Sequence, residues 1–149
     1  MTRQRLPDTR QSITHKIVIN APNRRVKLFL TIGFYPDGTP GEMFIHADNE
    51  EPELRGTLRC TCIGFSMALQ TGTEIHQIAD KLSFMRFEPS GFTGNPAIPH
   101  VLSIADYIGR FLNLTFPRPT DAEASTVAQG AMVDMMAGRK EAAGPQHPQ

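Results

Sequence analysis

The chain has 149 residues, of which 40% are hydrophobic, and its 15 basic and 15 acidic side chains give a net charge of zero. One folded domain with flanking segments is expected at this length, because two separate cores would each be marginally stable. A neutral chain has no overall field to attract nucleic acid or a membrane surface. No apolar run reaches the length of about 18 residues that a spanning helix needs, so we expect no membrane partner.

The first 13 residues are polar and basic, and include Arg3, Arg5 and Arg10. They lack the apolar stretch of a secretory signal, which predicts a cytoplasmic protein. We interpret residues 1–13 as a flexible basic arm that either frays as a free terminus or docks on a partner.

Three strands are predicted between residues 14 and 47. β-branched residues alternate over 14–20, and apolar residues occupy every second position over 26–34, which is typical of half-buried antiparallel strands. Pro, Asp and Gly at 36–38 supply hairpin-turn chemistry before a returning strand over 41–47. The pattern predicts a three-stranded antiparallel meander.

Helical patterns follow the strands. Pro52 suits a first helical turn, and apolar residues spaced by three and four predict a helix over 53–71 that stops at Gly72. Thr73 can cap a second, short helix. A third helix is predicted over 101–114. The resulting fold class is α+β, with the meander packed on two to three helices.

The chain changes character after residue 116. Residues 117–149 are rich in Pro, Ala, Gly and Met. We interpret them as a mostly disordered tail, with a short, weakly docked helix as the alternative.

The two cysteines, Cys60 and Cys62, lie two positions apart in a predicted helix. Side chains at this spacing point about 200° apart on an α-helix. Such a pair can neither close an unstrained disulfide nor bind one metal ion while the helix is intact. We predict no metal site, and two cysteines without an export signal indicate a reducing compartment.

The five histidines fall on separate predicted elements, without the spacing of a metal-binding motif. His46, which lies near Asp48, is the one histidine to check for a functional neighbour. The sequence contains neither a GxSxG nucleophile elbow nor a P-loop. We therefore predict no catalytic and no cofactor-binding residue.

The loop between the second and third predicted helices is dense in Gly, Pro and Asn. Gly91, Gly94 and Asn95 can present backbone N–H groups to an anion. Arg86 can pair with such an anion, or more simply with a carboxylate such as that of Glu88 or Asp106. This loop supports one alternative function, the binding of a nucleotide or phosphate.

The same loop carries aromatic residues. Exposed aromatic side chains forgo the free energy of burial. We therefore expect Phe87 and Phe92 to pin the loop on the core of sheet and helices. Arg86, Glu88 and Asn95 would then face a partner, which makes the loop a recognition surface.

Four segments together span about residues 5–116, and they are LPDTRQSITHK, YPDGTPGEMFI, FSMALQTG and RFEPSGFTGNPAIPHVLSIADYIGRFLNLTF. They resemble the TSCPD domain of vitamin B12-dependent (class II) ribonucleotide reductases. The sequence RFEPSGFTGNP is the most specific part of the resemblance. Small proteins that consist of this domain alone occur in bacteria.

The resemblance implies where the chemistry of such reductases takes place. Their adenosylcobalamin-generated thiyl radical works inside a separate α/β barrel and needs three cysteines, whereas this sequence has two. The context of Cys60 and Cys62 also differs from the signature that named the domain. The resemblance thus implies no cofactor in this chain and no reductase activity from the chain alone.

Three functions remain to compare. The leading hypothesis is a stand-alone TSCPD module, accessory or regulatory in deoxyribonucleotide synthesis, with a reductase large subunit as its partner. The alternative is a small nucleotide- or phosphate-binding module that uses the loop 91–95. Nucleic-acid binding ranks last, because the chain is neutral and has no recognition motif. It would use Arg3, Arg5, Arg10, Arg24 and Arg25.

Overall fold

The computed structural model describes residues 1–116 and Arg118. The rest of the predicted tail lies outside the described residues. The elements are β1 (Ser12–Ala21), β2 (Arg24–Phe34), β3 (Pro40–His46), α1 (Pro52–Gln70), α2 (Ile75–Leu82), β4 (Gly91–Phe92), β5 (His100–Val101) and α3 (Ile104–Thr115). This part of the chain confirms the α+β class, but its sheet has five strands in the order β3-β2-β1-β4-β5, two more than predicted.

The predicted meander forms the larger part of the sheet. β2 is its central strand, and Leu30 pairs with His15 of β1 on one side and with Ile45 of β3 on the other. Alternate residues of β2 are completely buried, as a strand with one face on the core requires. They are Val26, Leu28, Leu30 and Ile32.

The two short strands β4 and β5 extend the sheet beyond β1. Phe92 of β4 pairs with Asn20 of β1, and both residues of β4 pair with β5. Gly91 lies so close to β1 that a β-carbon there would collide with the carbonyl oxygen of Asn20. The sequence pattern predicted only a loop here, because two residues are too few to show a period of two.

The helix α1 runs along the outer edge of β3. The N–H of Met43 donates to the hydroxyl of Ser66 at 2.9 Å, and that hydroxyl donates back to the Met43 carbonyl at 3.1 Å. The side-chain amide of Gln70 donates to the carbonyl of Gly41 at 3.0 Å. A helix laid on a strand edge in this way satisfies backbone groups that would otherwise be open to another chain.

The helices α2 and α3 start later than the sequence pattern indicated. Glu74, and not Thr73, is the N-cap of α2, and it shares a capping box with Gln77. The predicted start of α3 at Val101 is wrong, because Val101 belongs to β5. The hydroxyl of Ser103 caps α3 instead, by accepting the backbone N–H of Asp106 at 2.9 Å.

The helices α2 and α3 touch through a glycine. A β-carbon on Gly109 would lie 2.6 Å from both the carbonyl oxygen of Ala79 and the backbone nitrogen of Ser83. The two backbones can approach this closely only where the side chain is a hydrogen.

Within residues 1–116, no helix is both long and apolar enough to span a bilayer.

The segment before β1 has specific partners on the body of the domain. The N–H of Gln4 donates to the carbonyl of Gln70 at 2.8 Å, and the Tyr35 hydroxyl donates to the carbonyl of Gln4 at 2.6 Å. The guanidinium of Arg10 forms a two-bonded ion pair with Glu42, at 2.5 and 3.0 Å. These bonds give the arm a position on the body, while its flexibility stays a prediction.

Candidate functional site

Five consecutive exposed residues follow α2, and we call residues 84–88 the presented segment. Three of them have large apolar side chains: Phe84 is 69% exposed, Phe87 is 48% exposed and Met85 is 47% exposed. Arg86 and Glu88 are the two charged members. A cluster of exposed apolar side chains with charged neighbours is typical of a protein-binding surface.

A fully buried carboxylate holds the start of the presented segment. Asp106 of α3 accepts the backbone N–H of Phe84 at 2.7 Å and that of Leu102 at 2.9 Å. The guanidinium of Arg110 lies 3.3 Å from the same carboxylate. Hydrogen bonds to a charged acceptor are about twice as strong as those between neutral groups, so the backbone is firmly fixed here.

Two more bonds fix the rest of the presented segment. The Ser103 hydroxyl donates to the carbonyl of Met85 at 2.6 Å. The N–H of Phe87 donates to the carbonyl of Leu102 at 3.2 Å. The segment therefore has a backbone anchored on the start of α3 and side chains that point to solvent.

Phe84 has an unusual backbone conformation. Its φ is 65°, in the left-handed region that residues other than glycine rarely adopt. The guanidinium of Arg110 lies 5.7 Å from the centre of the Phe84 ring, within the range of a cation–π contact. Such a conformation costs of order 1 kcal/mol or more and persists where the surroundings enforce it, often at functional sites.

The expectation that Phe87 and Phe92 pin the loop on the core is wrong. Phe92 is 68% exposed. Within the described chain, His100 is the one aromatic residue whose ring it contacts, edge to face with the ring centres 4.9 Å apart. The fully buried side chains of the loop and the following strand are Ile98 and Val101. The loop is therefore held by aliphatic side chains and by hydrogen bonds to α3, and not by the aromatic residues.

Asn95 is partly buried and its side chain forms hydrogen bonds within the protein, so its role in facing a partner stays a prediction. Its amide donates to the hydroxyl of Tyr107 at 3.0 Å, and its side-chain oxygen accepts the N–H of Ala97 at 2.9 Å. The same Tyr107 hydroxyl is 2.8 Å from Nε2 of His15. Asn95 thus ties the loop to both α3 and β1.

Burial shifts the pKa values of His15 and Tyr107. Burial lowers the pKa of His15 from 6.5, which favours the neutral imidazole, and burial raises the pKa of Tyr107. The ring of His15 also stacks on Phe111 at 4.1 Å. Sequence reasoning missed this cluster, although His15 has the same parity along β1 as the buried Ile17.

The backbone of the loop 91–95 has few donors to offer an anion. The N–H of Thr93 donates to the Pro99 carbonyl at 2.9 Å, and the N–H of Asn95 donates to the Thr93 hydroxyl at 3.1 Å. Gly94 is exposed and has open space around it. Nucleotide or phosphate binding here stays a prediction, without the row of free N–H groups that motivated it.

Arg86 does not form the ion pairs considered for it. Asp106 pairs with Arg110, and Glu88 accepts bonds from the N–H and hydroxyl of Ser90 at 3.0 and 3.1 Å. In the described part of the chain, the guanidinium of Arg86 has no ion-pair partner. It is exposed and available to a ligand or a partner.

The two cysteines lie on α1, as predicted, and both are free thiols. Cys60 is exposed, whereas Cys62 is 4% exposed and its burial raises its pKa to about 12. The side chain of His46 is exposed, and its imidazole has no hydrogen-bond partner within residues 1–116. Over the same residues, no group of three or more His, Cys, Asp or Glu side chains is placed to hold a metal ion.

Several arginines considered for nucleic-acid binding have partners within the protein. Arg10 pairs with Glu42, and Arg24 pairs with Glu50 at 2.9 Å. Arg3 donates to the side-chain oxygen of Gln70 at 2.6 Å. These contacts disperse the basic residues instead of gathering them into one patch.

Comparison with known proteins places this geometry in a family. The TSCPD domain family matches residues 2–116. The chain is 43% identical over 129 residues to a vitamin B12-dependent ribonucleotide reductase of Rhodopirellula baltica, which covers 87% of this chain and 12% of that protein. It is 36% identical over 115 residues to the protein of the same name from Bradyrhizobium diazoefficiens, covering 76% of this chain and 9% of that protein.

The share of each relative that is matched is small. A third relative, the vitamin B12-dependent ribonucleotide reductase of Streptantibioticus cattleyicolor, is 34% identical over 114 residues and is matched over 18% of its length. The chain thus spans between about a tenth and a fifth of these relatives. No solved structure gives a significant match. With a family match over residues 2–116 that includes the whole described fold, the chain belongs to the TSCPD domain family.

Proposed function

We propose that this chain is a TSCPD module that binds the catalytic part of a vitamin B12-dependent ribonucleotide reductase and serves deoxyribonucleotide synthesis as an accessory or regulatory piece. The presented segment carries this proposal, because its anchored backbone holds apolar side chains toward solvent. The relatives supply the class of partner, since their matched segments are parts of proteins with that name.

The side chains of the presented segment suit a protein partner. Aromatic residues and arginine are the residue types that dominate binding energy at protein interfaces. Phe84 and Phe87 offer the aromatic groups, and Arg86 and Glu88 offer charges for the rim. Because the backbone is already fixed by Asp106 and Ser103, binding would cost little ordering entropy.

The two cysteines of this chain do not fit the radical chemistry of the reductases. Radical chemistry with adenosylcobalamin needs a set of cysteines that act together, whereas Cys60 is exposed and Cys62 is buried with a raised pKa. A thiol with that pKa is a poor source of thiolate at neutral pH. We therefore assign the cofactor, the substrate and the chemical steps to the rest of the reductase.

Co-purification tests the proposal. The tagged 149-residue chain would be mixed with a vitamin B12-dependent reductase, and retention measured for the unaltered chain and for a Phe84→Asn, Phe87→Ser double variant. Asn tolerates the left-handed conformation at position 84, so the fold should survive. Loss of two anchor residues should weaken binding at least about tenfold.

A matched control removes an aromatic residue elsewhere. Phe29 is 36% exposed on the outer face of the sheet, and Phe29→Ser should leave retention unchanged. Equal retention of the double variant, or no retention of the unaltered chain, would contradict the proposal. Turnover of a ribonucleotide by the chain alone, with adenosylcobalamin and a thiol, would contradict the accessory role.

A further inference from the structure

A groove of about 450 Å³ lies between β3 and α1. This volume is in the range of ligand-binding sites. Apolar residues from both elements line the groove, and arginines stand at its rim. The apolar residues are Met43, Phe44, Ile45, Ala47, Cys62 and Ile63, and the arginines are Arg3, Arg55 and Arg59.

One end of the β3 edge is closed by α1 and the other end is open. The N–H and the carbonyl of Met43 both form hydrogen bonds with the hydroxyl of Ser66, so both groups point away from β2. In an antiparallel strand every second residue points its backbone groups the same way, so those of Ile45 also point outward. Within residues 1–116 these groups of Ile45 have no hydrogen-bond partner.

The helix residue opposite Ile45 explains the opening. Gly41 meets Gln70 and Met43 meets Ser66, so two steps along β3 correspond to one turn back along α1. The next step brings Ile45 opposite Cys62. The buried thiol of Cys62 makes no bond to the strand, unlike the hydroxyl of Ser66 and the amide of Gln70.

The charge of the groove is positive. Arg55 and Arg59 are exposed on one face of α1 and form no ion pair in the described part of the chain. Of the two acidic side chains in the lining, Glu42 is paired with Arg10. That leaves Asp48 as the acidic side chain of the lining without an ion pair in residues 1–116.

We propose that this groove binds an extended acidic segment of a partner protein, which adds as a strand to the open end of β3. Its backbone would bond to the N–H and carbonyl of Ile45, as in other cases of strand addition to a sheet edge. Alternate side chains would enter the apolar lining, and acidic side chains would meet Arg55 and Arg59. The inference uses different residues from the presented segment and does not depend on the proposed function.

A designed peptide tests both parts of the proposal. The probe is a short fluorescent peptide in which Glu and Val alternate, and its binding to the 149-residue chain is followed by anisotropy. We expect saturable binding that weakens at least about tenfold in an Arg55→Glu, Arg59→Glu double variant, because each close charge pair contributes. The matched control is Arg25→Glu, Lys81→Glu, which removes the same charge elsewhere and should bind normally.

Two altered probes decide the mode of binding. A peptide in which Lys replaces Glu should not bind. N-methylation of alternate backbone nitrogens should abolish binding for the set of nitrogens that faces β3 and be tolerated for the other set. Binding that survives methylation of each set in turn would indicate a helical or irregular occupant and overturn strand addition. Equal binding of the Lys peptide, or of the double variant, would overturn the charge argument.

Discussion

The carboxylate of Asp106 is fully buried and accepts the N–H of Phe84, the most exposed aromatic side chain in the described chain, at 2.7 Å. One residue therefore links the interior of α3 to the presented segment. The bond also holds Phe84 at a φ of 65°, which few residues other than glycine adopt.

Replacing Asp106 with Ala should lower the free energy of unfolding by roughly 2–4 kcal/mol, because two backbone N–H groups and Arg110 lose a charged acceptor. Asp106→Asn keeps one acceptor oxygen and should cost less. Urea unfolding of each variant measures the loss. As a control, Asp48→Ala removes an exposed carboxylate and should change stability by less than about 0.5 kcal/mol. An equally small effect of Asp106→Ala would refute the role given to this carboxylate.

Replacing Ser66 with Ala should destabilise the junction of α1 and β3. The change removes both bonds to Met43 and leaves a buried N–H without a partner, at a cost of about 1–3 kcal/mol. Thr61→Ala is the matched control on the same helix, since its exposed hydroxyl bonds only to the Thr57 carbonyl. The control should stay within about 0.5 kcal/mol of the unaltered protein. Equal melting temperatures for both variants would show that the edge bonds contribute little.

His15 should make the protein less stable in acid. Its pKa is lowered by burial, so the unfolded chain binds a proton at His15 at a higher pH than the folded chain does. The contribution is complete at a pH above the unfolded pKa of 6.5 and is lost as the pH falls through that value toward the lower, folded pKa. Unfolding curves at about pH 5 and about pH 8 should therefore differ less for His15→Gln than for the unaltered chain. An identical pH dependence for both proteins would rule out this role for His15.

The two thiols should differ in reactivity. The pKa of Cys62 is raised to about 12, so at about pH 8 only about one thiol in ten thousand is ionised at that site. A reagent that reacts with accessible thiols should modify one cysteine in the native protein and two after unfolding in urea. Cys60→Ser should abolish the native reaction. Fast modification of Cys62 in that variant would contradict the burial that raises its pKa.

Sequence patterns were sufficient for the meander and for α1. Apolar residues alternate along β2 because one face of the strand is buried, and they recur at spacings of three and four along α1 because one face of the helix is buried. Each pattern therefore predicts its own type of element. The short strands β4 and β5 have no such signal. Their pairing depends on Gly91 approaching Asn20, which is a tertiary contact.

The sequence pattern drew attention to the loop that contains the presented segment, but its expectation for two aromatic residues was wrong. Hydrophobicity alone predicted that Phe87 and Phe92 would be buried, whereas polar bonds to Asp106 and Ser103 hold the neighbouring backbone and leave both rings exposed. A local signal for this arrangement was present. Ser103 and Asp106 have the spacing of a helix N-cap, which also places the carboxylate beneath the loop.

The anchoring of the presented segment has a consequence for engineering. The shape of the segment depends on side chains from α3, on the left-handed conformation of Phe84 and on the bonds of Glu88 to Ser90. Positions 85–87 can therefore carry new side chains while Asp106 and Ser103 are retained. This domain offers a small scaffold on which binding specificity can be altered separately from folding.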